Sequence, residues 1–359
     1  PNSNGLRALA AANLRPNTKQ EDEPMRKLVM NGLIAAMLLP CAPLLAQSAY
    51  PARTSFPNED RAAVARHLVV ARQLARDDLE SDFNWRCLIS PLDKPLVFGV
   101  QHDGAVPPTR VFDNLYAIGQ NAVSAWAIDT KDGIIIIDTL NNTAEARDML
   151  VPNMRALGLD PARIRYIVLT HGHGDHWGGA KFLQDTYGAR VMASAADWAI
   201  MESPTRGGGP FRDLVPPRRD GVVADGQVLK LGDFAMRLYV TPGHTPGTLS
   251  LIFPVYDKGR RHIAGLMGGT GGGQDAASAR AQIASLARWQ RLTRAARTDV
   301  LVTNHPVHMA ATEKEAMIAY GATQGRHPFV YGVDKYQRYM GIMRECSRVQ
   351  LARLGEKSD

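Results

Sequence analysis

Residues 58–80 place Ala62, Val64, Ala65, Leu68, Val69, Ala71, Leu74, Ala75 and Leu79 at helical spacing, which predicts an amphipathic helix. Pro91, Pro95, Pro107 and Pro108 then predict a loop. From about Arg110 the apolar runs shorten and become β-rich. Val111–Ile118, Ala122–Asp129 and Ile134–Asp138 read as strands, separated by Gly119 and by the turn Lys131-Asp-Gly133. Residues 143–157 read as a helix, Ile164–Thr170 as a buried strand, and 178–187 as a helix. Arg190–Ala193 follows as a strand and Ala195–Met201 as a short helix. A Pro-, Gly- and Arg-rich loop fills 203–220. Strands resume at Gln227–Leu231, Phe234–Tyr239 and Thr248–Pro254, and Gly265–Gly273 is glycine-rich. Gln274–Arg297 reads as a helix with Ile283, Leu286, Trp289 and Leu292 inward, Val300–Thr303 as a last buried strand, and the remainder as mainly helical. Two clusters of strands, each followed by helices, fit two sheets packed face to face with helices outside.

The chemistry concentrates where strands end. Directly after the apolar run Ile164–Leu169 come His171, His173, Asp175 and His176, four metal-ligand types within six positions. Period two points His171 and His173 to the same side. Gly172 and Gly174 would let the backbone turn so that Asp175 and His176 face a second point. His244 sits in Thr241-Pro-Gly-His-Thr-Pro-Gly247 and His305 in Thr303-Asn-His-Pro306, each just past a strand. Imidazole suits zinc and a lone carboxylate sets the local charge, so the set predicts two adjacent metal ions. Asp138, ending its strand near the same edge, would either orient a ligand histidine or cap a turn, and His308 would stand behind His305. His67, His102, His262 and His327 read as structural or exposed, and Trp177 as packing rather than a substrate platform.

The His-x-His-x-Asp-His run, Pro-Gly-His-Thr-Pro-Gly and Asn-His-Pro together resemble the metallo-β-lactamase superfamily over roughly residues 110–310. The resemblance implies an α+β fold, a four-layer αβ/βα sandwich with a dinuclear zinc site at its edge. His171, His173 and His244 would hold the first zinc, and Asp175, His176 and His305 the second. Many members of that superfamily carry a bridging aspartate in a Gly-Asp-Thr motif. Here Gly269 stands at the acid's place, in Gly265-Leu-Met-Gly-Gly-Thr-Gly-Gly-Gly273. An all-histidine first site, an Asp-His-His second site and no bridging acid resemble subclass B3. That implies hydrolysis of a β-lactam amide by zinc-activated water, with Asp175 aligning it. The usual serine-containing substrate segment of B3 is replaced by glycines and Thr270, the candidate substrate donor. Rival functions are hydrolysis of a lactone, thioester or other ester, an iron oxidoreductase, and a metal-free binding scaffold.

Composition adds the setting. At 45% hydrophobic and 21% charged the chain is ordinary globular protein. Met25, Arg26 and Lys27 open an apolar stretch from Leu28 to Leu45 that ends at Ala46-Gln-Ser48, the layout of a signal peptide. Residues 25–48 are therefore expected to direct export to the periplasm or outside the cell, and 1–24 to be a non-native upstream extension. Residues 49–109 form a lead-in, 110–310 a catalytic domain and 311–359 a helical segment packed on it. Without residues 1–48 the net charge falls from +7 by five basic and three acidic residues to +5, too small and scattered for nucleic-acid binding. A small-molecule substrate is expected, with no membrane partner after cleavage. Arg206, Arg212, Arg218 and Arg219 could flank the entrance or simply be solvated. Cys87 and Cys346 would be the cysteines left in an oxidising compartment, either bridged or separate buried thiols.

Overall fold

A computed structural model describes residues 54–204, 211–273, 275–323 and 325–358. The expected upstream extension and signal segment, and Arg206, lie outside the described residues.

Twelve strands among the described residues form two sheets. The first joins β1 (Thr109–Arg110), β2 (Leu115–Ala117), β3 (Trp126–Thr130), β4 (Gly133–Ile137), β5 (Ile164–Val168), β6 (Arg190–Ser194) and β7 (Gly221–Val223) in chain order. β1 to β4 are an antiparallel meander, and β4 to β7 run parallel. The second sheet has the order β12 (Val300–Val302), β11 (Arg260–Leu266), β10 (Leu249–Asp257), β9 (Phe234–Val240), β8 (Val228–Leu231), antiparallel except for the β11–β12 pair.

Four consecutive isoleucines explain why the first sheet is covered on both sides. In β4, Ile135 and Ile137 enter the core shared with the second sheet, alongside Met236, Leu238 and Leu251. Ile134 and Ile136 point the other way, onto a core with Leu150, Met154 and Leu183 of the helices at 143–156 and 180–187. All four are fully buried, each contributing about 1.5–3 kcal/mol relative to exposure. Helices Ala276–Ala295 and Val333–Arg353 close the other side. Trp289 donates to the Tyr336 hydroxyl at 3.1 Å, and a side chain at Gly265 of β11 would collide with that hydroxyl. The four-layer αβ/βα sandwich is the one expected.

The first predicted helix spans Arg61–Ala75, with Asp60 capping Ala63 N–H at 2.9 Å. It packs against the C-terminal helix. There Arg338 forks onto Asp78 with two contacts of 2.8 Å, and His67 meets Glu345 at 2.9 Å. Cys87 and Cys346 are disulfide-bonded across the same junction, with Cα atoms 4.8 Å apart.

Several boundaries differ from expectation. The Pro-rich stretch is helical over Glu80–Leu92 and Lys94–Val100: Pro91 falls at the end of the first run, and Pro95 in the opening turn of the second, where a missing N–H costs nothing. The expected strand Val111–Ile118 breaks at Phe112–Asn114, where Leu115 N–H turns back to the Phe112 carbonyl. The strand expected from Ala122 starts only at Trp126. β11 was not foreseen, since Arg260, Arg261 and His262 mask its period, yet it pairs with β10 along its full length. The helix begins at Ala276, after a capping box between Asp275 and Ser278; Gln274 lies outside the described residues.

Candidate metal centre

Each candidate ligand leaves a strand at the same end of the two sheets. β5 delivers Thr170 and the His171–His176 turn, the turn after β9 delivers His244, and β12 delivers His305. Gly243 has φ +147°, backbone that glycine takes easily, and a side chain there would also strike Gln282. The expectation for Gly172 and Gly174 needs correcting, since neither has a positive φ. Their role is close approach: a Cβ on Gly174 would come within 2.4 Å of the Phe211 ring, and one on Gly172 within 3.1 Å of Ile200.

Two groups of donors result. His171 Nε2 and His244 Nε2 lie 3.1 Å apart, and the His173 ring centroid is 4.8 and 4.7 Å from theirs. His176 Nε2 lies 3.2 Å from His305 Nε2 and 3.2 Å from Asp175 Oδ2, while His305 Nε2 is 3.8 Å from that oxygen. The His171 and His176 rings, 4.0 Å apart, join the groups. Tetrahedral zinc with ligands at about 2.0–2.1 Å spaces neighbouring donors by roughly 3.3 Å, so these separations fit a metal ion in each group.

The electrostatics fit equally. Burial holds His171 well below the ordinary imidazole range and takes His244 down to about 3, with neighbouring imidazoles adding to the shift, so both present lone pairs. Burial lowers His305 as well. Burial would also lower His176, but the Asp175 and Asp138 carboxylates outweigh it and hold it at about 10. Burial pushes Asp175 upward, yet His176, His305 and His173 together carry it below the usual carboxylate range. A crowded cluster of imidazoles around one ionised carboxylate, open to solvent at His173, is the charge pattern a cation would complete.

A surrounding shell fixes the ligands. Asp138, fully buried at φ +59°, accepts from Thr170 N–H at 2.8 Å and from its hydroxyl at 2.7 Å, and meets His176 Nδ1 at 2.8 Å. It thus holds the His176 ring through Nδ1, with Nε2 facing His305 and Asp175. His305 Nδ1 donates to the Ala122 carbonyl at 2.8 Å. That bond accounts for the delayed start of β3. Trp177, fully buried, donates to Gly172 O at 3.0 Å and is packing. Asp138→Asn is expected to lower zinc affinity by about 10–100-fold, read by competition with a chromophoric chelator, while the fold signal stays unchanged.

Three contributors escaped the sequence. Asn304 donates to Thr170 Oγ1 at 3.2 Å and to Gly268 O, and so fastens the β5 turn to the glycine loop. Thr170 links Asp138 to that network. Asp197 accepts from the Thr245 hydroxyl at 3.1 Å and from Gly247 and Gly172 backbone, tying the His171 and His244 turns together; burial pushes its carboxyl up to about 7. Only the flanking of Thr170 and Asn304 to ligand motifs hinted at them.

Thr270 is buried and donates to Asn304 Oδ1 at 3.3 Å. His308 is buried with its ring T-shaped to His305 at 5.8 Å. Among the loop arginines, Arg218 pairs with Asp220 and Arg219 with Glu202, while Arg212 is exposed. His67, His262 and His327 serve structural hydrogen bonds, and His102 is exposed. A cleft of about 380 Å³ reaches the donors beside Asp175 and His305, walled by Ala122, Val123, Phe211 and the polar Asn141 and Glu145.

Comparison places this geometry. The family model of the metallo-β-lactamase superfamily matches residues 118–257. The chain is 37% identical over 91 residues to a hydroxyacylglutathione hydrolase of Acidiphilium cryptum, 25% of this chain and 31% of that protein. It is 33% identical over 141 residues to the hydroxyacylglutathione hydrolase GloC of Haemophilus influenzae, 38% of this chain and 62% of that protein. The matches thus span between about a third and just under two-thirds of those relatives. Among solved structures, BJP-1, a subclass B3 metallo-β-lactamase of Bradyrhizobium japonicum, is 26% identical with TM-score 0.58, covering 70% of this chain and 96% of that one. Native FEZ-1 metallo-β-lactamase of Legionella gormanii shares the fold at 20% identity, with TM-score 0.61 and coverage of 70% and 98%. The sandwich, the paired donor groups and these matches make residues 118–257 similar to the metallo-β-lactamase superfamily.

Proposed function

We propose that the protein is an exported dinuclear zinc hydrolase of B3 type that opens the amide of a β-lactam. One observation carries the choice of branch. A side chain at Gly269 would bring its Cβ within 2.3 Å of the His244 Cβ, so the glycine loop has no room for the bridging acid expected of most other branches. His171, His173 and His244 would hold one zinc, and Asp175, His176 and His305 the other.

Zinc there supplies Lewis acidity and makes water acidic enough to ionise near neutral pH. The chain's own part is positioning. The Asp175 carboxylate, kept ionised, lines the cleft with its Oδ2 among the His176 and His305 nitrogens, where it would align water toward a carbonyl carbon. Asp138 and Asn304 hold the imidazoles on either side so that little rearrangement accompanies the reaction. Phe211, Val123 and Ala122 offer the apolar wall against which a small molecule rests. Export is supported by the Cys87–Cys346 bridge, which belongs to an oxidising compartment. No helix among the described residues is long and apolar enough to cross a membrane.

A thioester substrate is the second reading, favoured by the hydroxyacylglutathione hydrolases among the relatives. Zinc stoichiometry, with rates on nitrocefin, a carbapenem and an acylglutathione thioester, tests both. Two zinc ions and turnover of β-lactams are expected. Thioester turnover without β-lactam turnover selects the second reading, and no hydrolysis by zinc-loaded protein overturns both.

A further inference from the structure

Behind the glycine loop lies a second cavity, of about 270 Å³, which contains none of the metal-ligand residues. Its walls come from the N-terminal helical run, the loop at 270–273 and the C-terminal helix, all outside the segment matched by the family model. We propose that this cavity binds a small organic carboxylate with an apolar body, seated on Arg86 and His308.

The polar end is built and incompletely satisfied. Arg86, about 9% exposed, has no carboxylate within ion-pairing distance among the described residues. Its guanidinium lies 4.8 Å over the Tyr339 ring, donates to the Tyr339 hydroxyl, and donates to Thr270 O at 3.0 Å. Asp82 is near enough to feel its charge but does not line the cavity. His308, about 8% exposed, also lines the cavity, and its buried Nδ1 has no hydrogen-bond partner. Lys94 stands at the rim, and no Asp or Glu lines the cavity. Phe56, Pro91, Met343 and Leu354 supply the apolar side.

This chemistry selects a carboxylate over a phosphate. One planar guanidinium fork matches a planar carboxylate. The adjacent helix start at Ala276 is already capped by the Asp275 side chain, which takes the Ser278 N–H and sets a like charge near any dianion. The site is one loop away from the metal centre: Gly269 and Gly271 press on the His244 ring while Gly272 and Gly273 line the cavity.

The test uses phenylacetate as probe and phenylacetamide as its neutral control, titrated calorimetrically into full-length protein with zinc bound and after chelation. Saturable phenylacetate binding in both states, at least tenfold tighter than the amide, is expected. A Cβ at Gly272 meets nothing within 4 Å, so Gly272→Phe should fold normally while filling the cavity and abolishing binding. Arg86→Met should weaken phenylacetate to the level of the amide. Binding lost on chelation but untouched by Gly272→Phe would place the carboxylate on the metals and overturn the proposal. So would absence of saturable binding, the result if the cavity holds only water against His308. Hydrolytic activity enters neither readout, so failure here is separable from failure of the proposed function.

Discussion

On the proposed function, His171→Ala is expected to lower bound zinc by at least one ion per chain and to cut hydrolysis by more than about 100-fold, beyond the 10–100-fold typical of losing a residue that only orients a ligand. His171 is the hinge of the site. Its Nε2 is 3.1 Å from that of His244, and its ring is 4.0 Å from that of His176, so its removal opens one donor group and leaves the other without its neighbour. The fold should tolerate the change. His171 is buried among imidazoles that already disfavour its protonated form, so the metal-free variant should melt close to the metal-free wild type. The difference should appear only with zinc, because a cation that binds the folded state alone raises stability by mass action. Elemental analysis with melting curves in zinc and in chelator reads both effects. Unchanged stoichiometry would remove His171 from the metal site.

The candidate ligands stood out because rare residue types gather where strands end, and that pattern survives in a linear sequence. His171, His173, Asp175 and His176 are adjacent in the chain, and His244 and His305 sit in their own Pro- and Gly-marked turns. The sandwich was legible from the same strands, most plainly from Ile134–Ile137, whose sides serve two cores. The shell around the ligands was not legible. Asp197 acts through contacts with Gly172 and with the Thr245–Gly247 turn, both remote from it in sequence, and an aspartate in a short helix carries no mark of that. Arg86 likewise sits in a stretch whose prolines read as loop, and its partners Thr270 and Tyr339 are 184 and 253 residues away. Gly172 and Gly174 were legible as important but for a different reason. Their small size, rather than backbone freedom, is what Ile200 and Phe211 require.

Removing the disulfide with Cys87→Ala and Cys346→Ala is expected to cost the fold on the order of 2–5 kcal/mol while leaving zinc content intact. The bridge closes a separation of 259 residues, so opening it frees the unfolded chain from a long-loop constraint, and the entropic gain of that state grows only logarithmically with loop length. Cys87 is fully buried against the C-terminal helix, and alanine there also loses packing. The rest of the junction, Arg338 on Asp78 and His67 on Glu345, remains to hold the helices together, so the variant should stay folded with Tm lower by on the order of 5–10 °C. The metal ligands belong to other turns, and an unchanged zinc count separates loss of the staple from loss of the site. Reductant should lower the Tm of wild-type protein toward that of the variant and leave the variant where it was. Equal melting of wild type and variant in oxidising buffer would mean the bridge contributes nothing to stability, and would remove its support for an extracytoplasmic address.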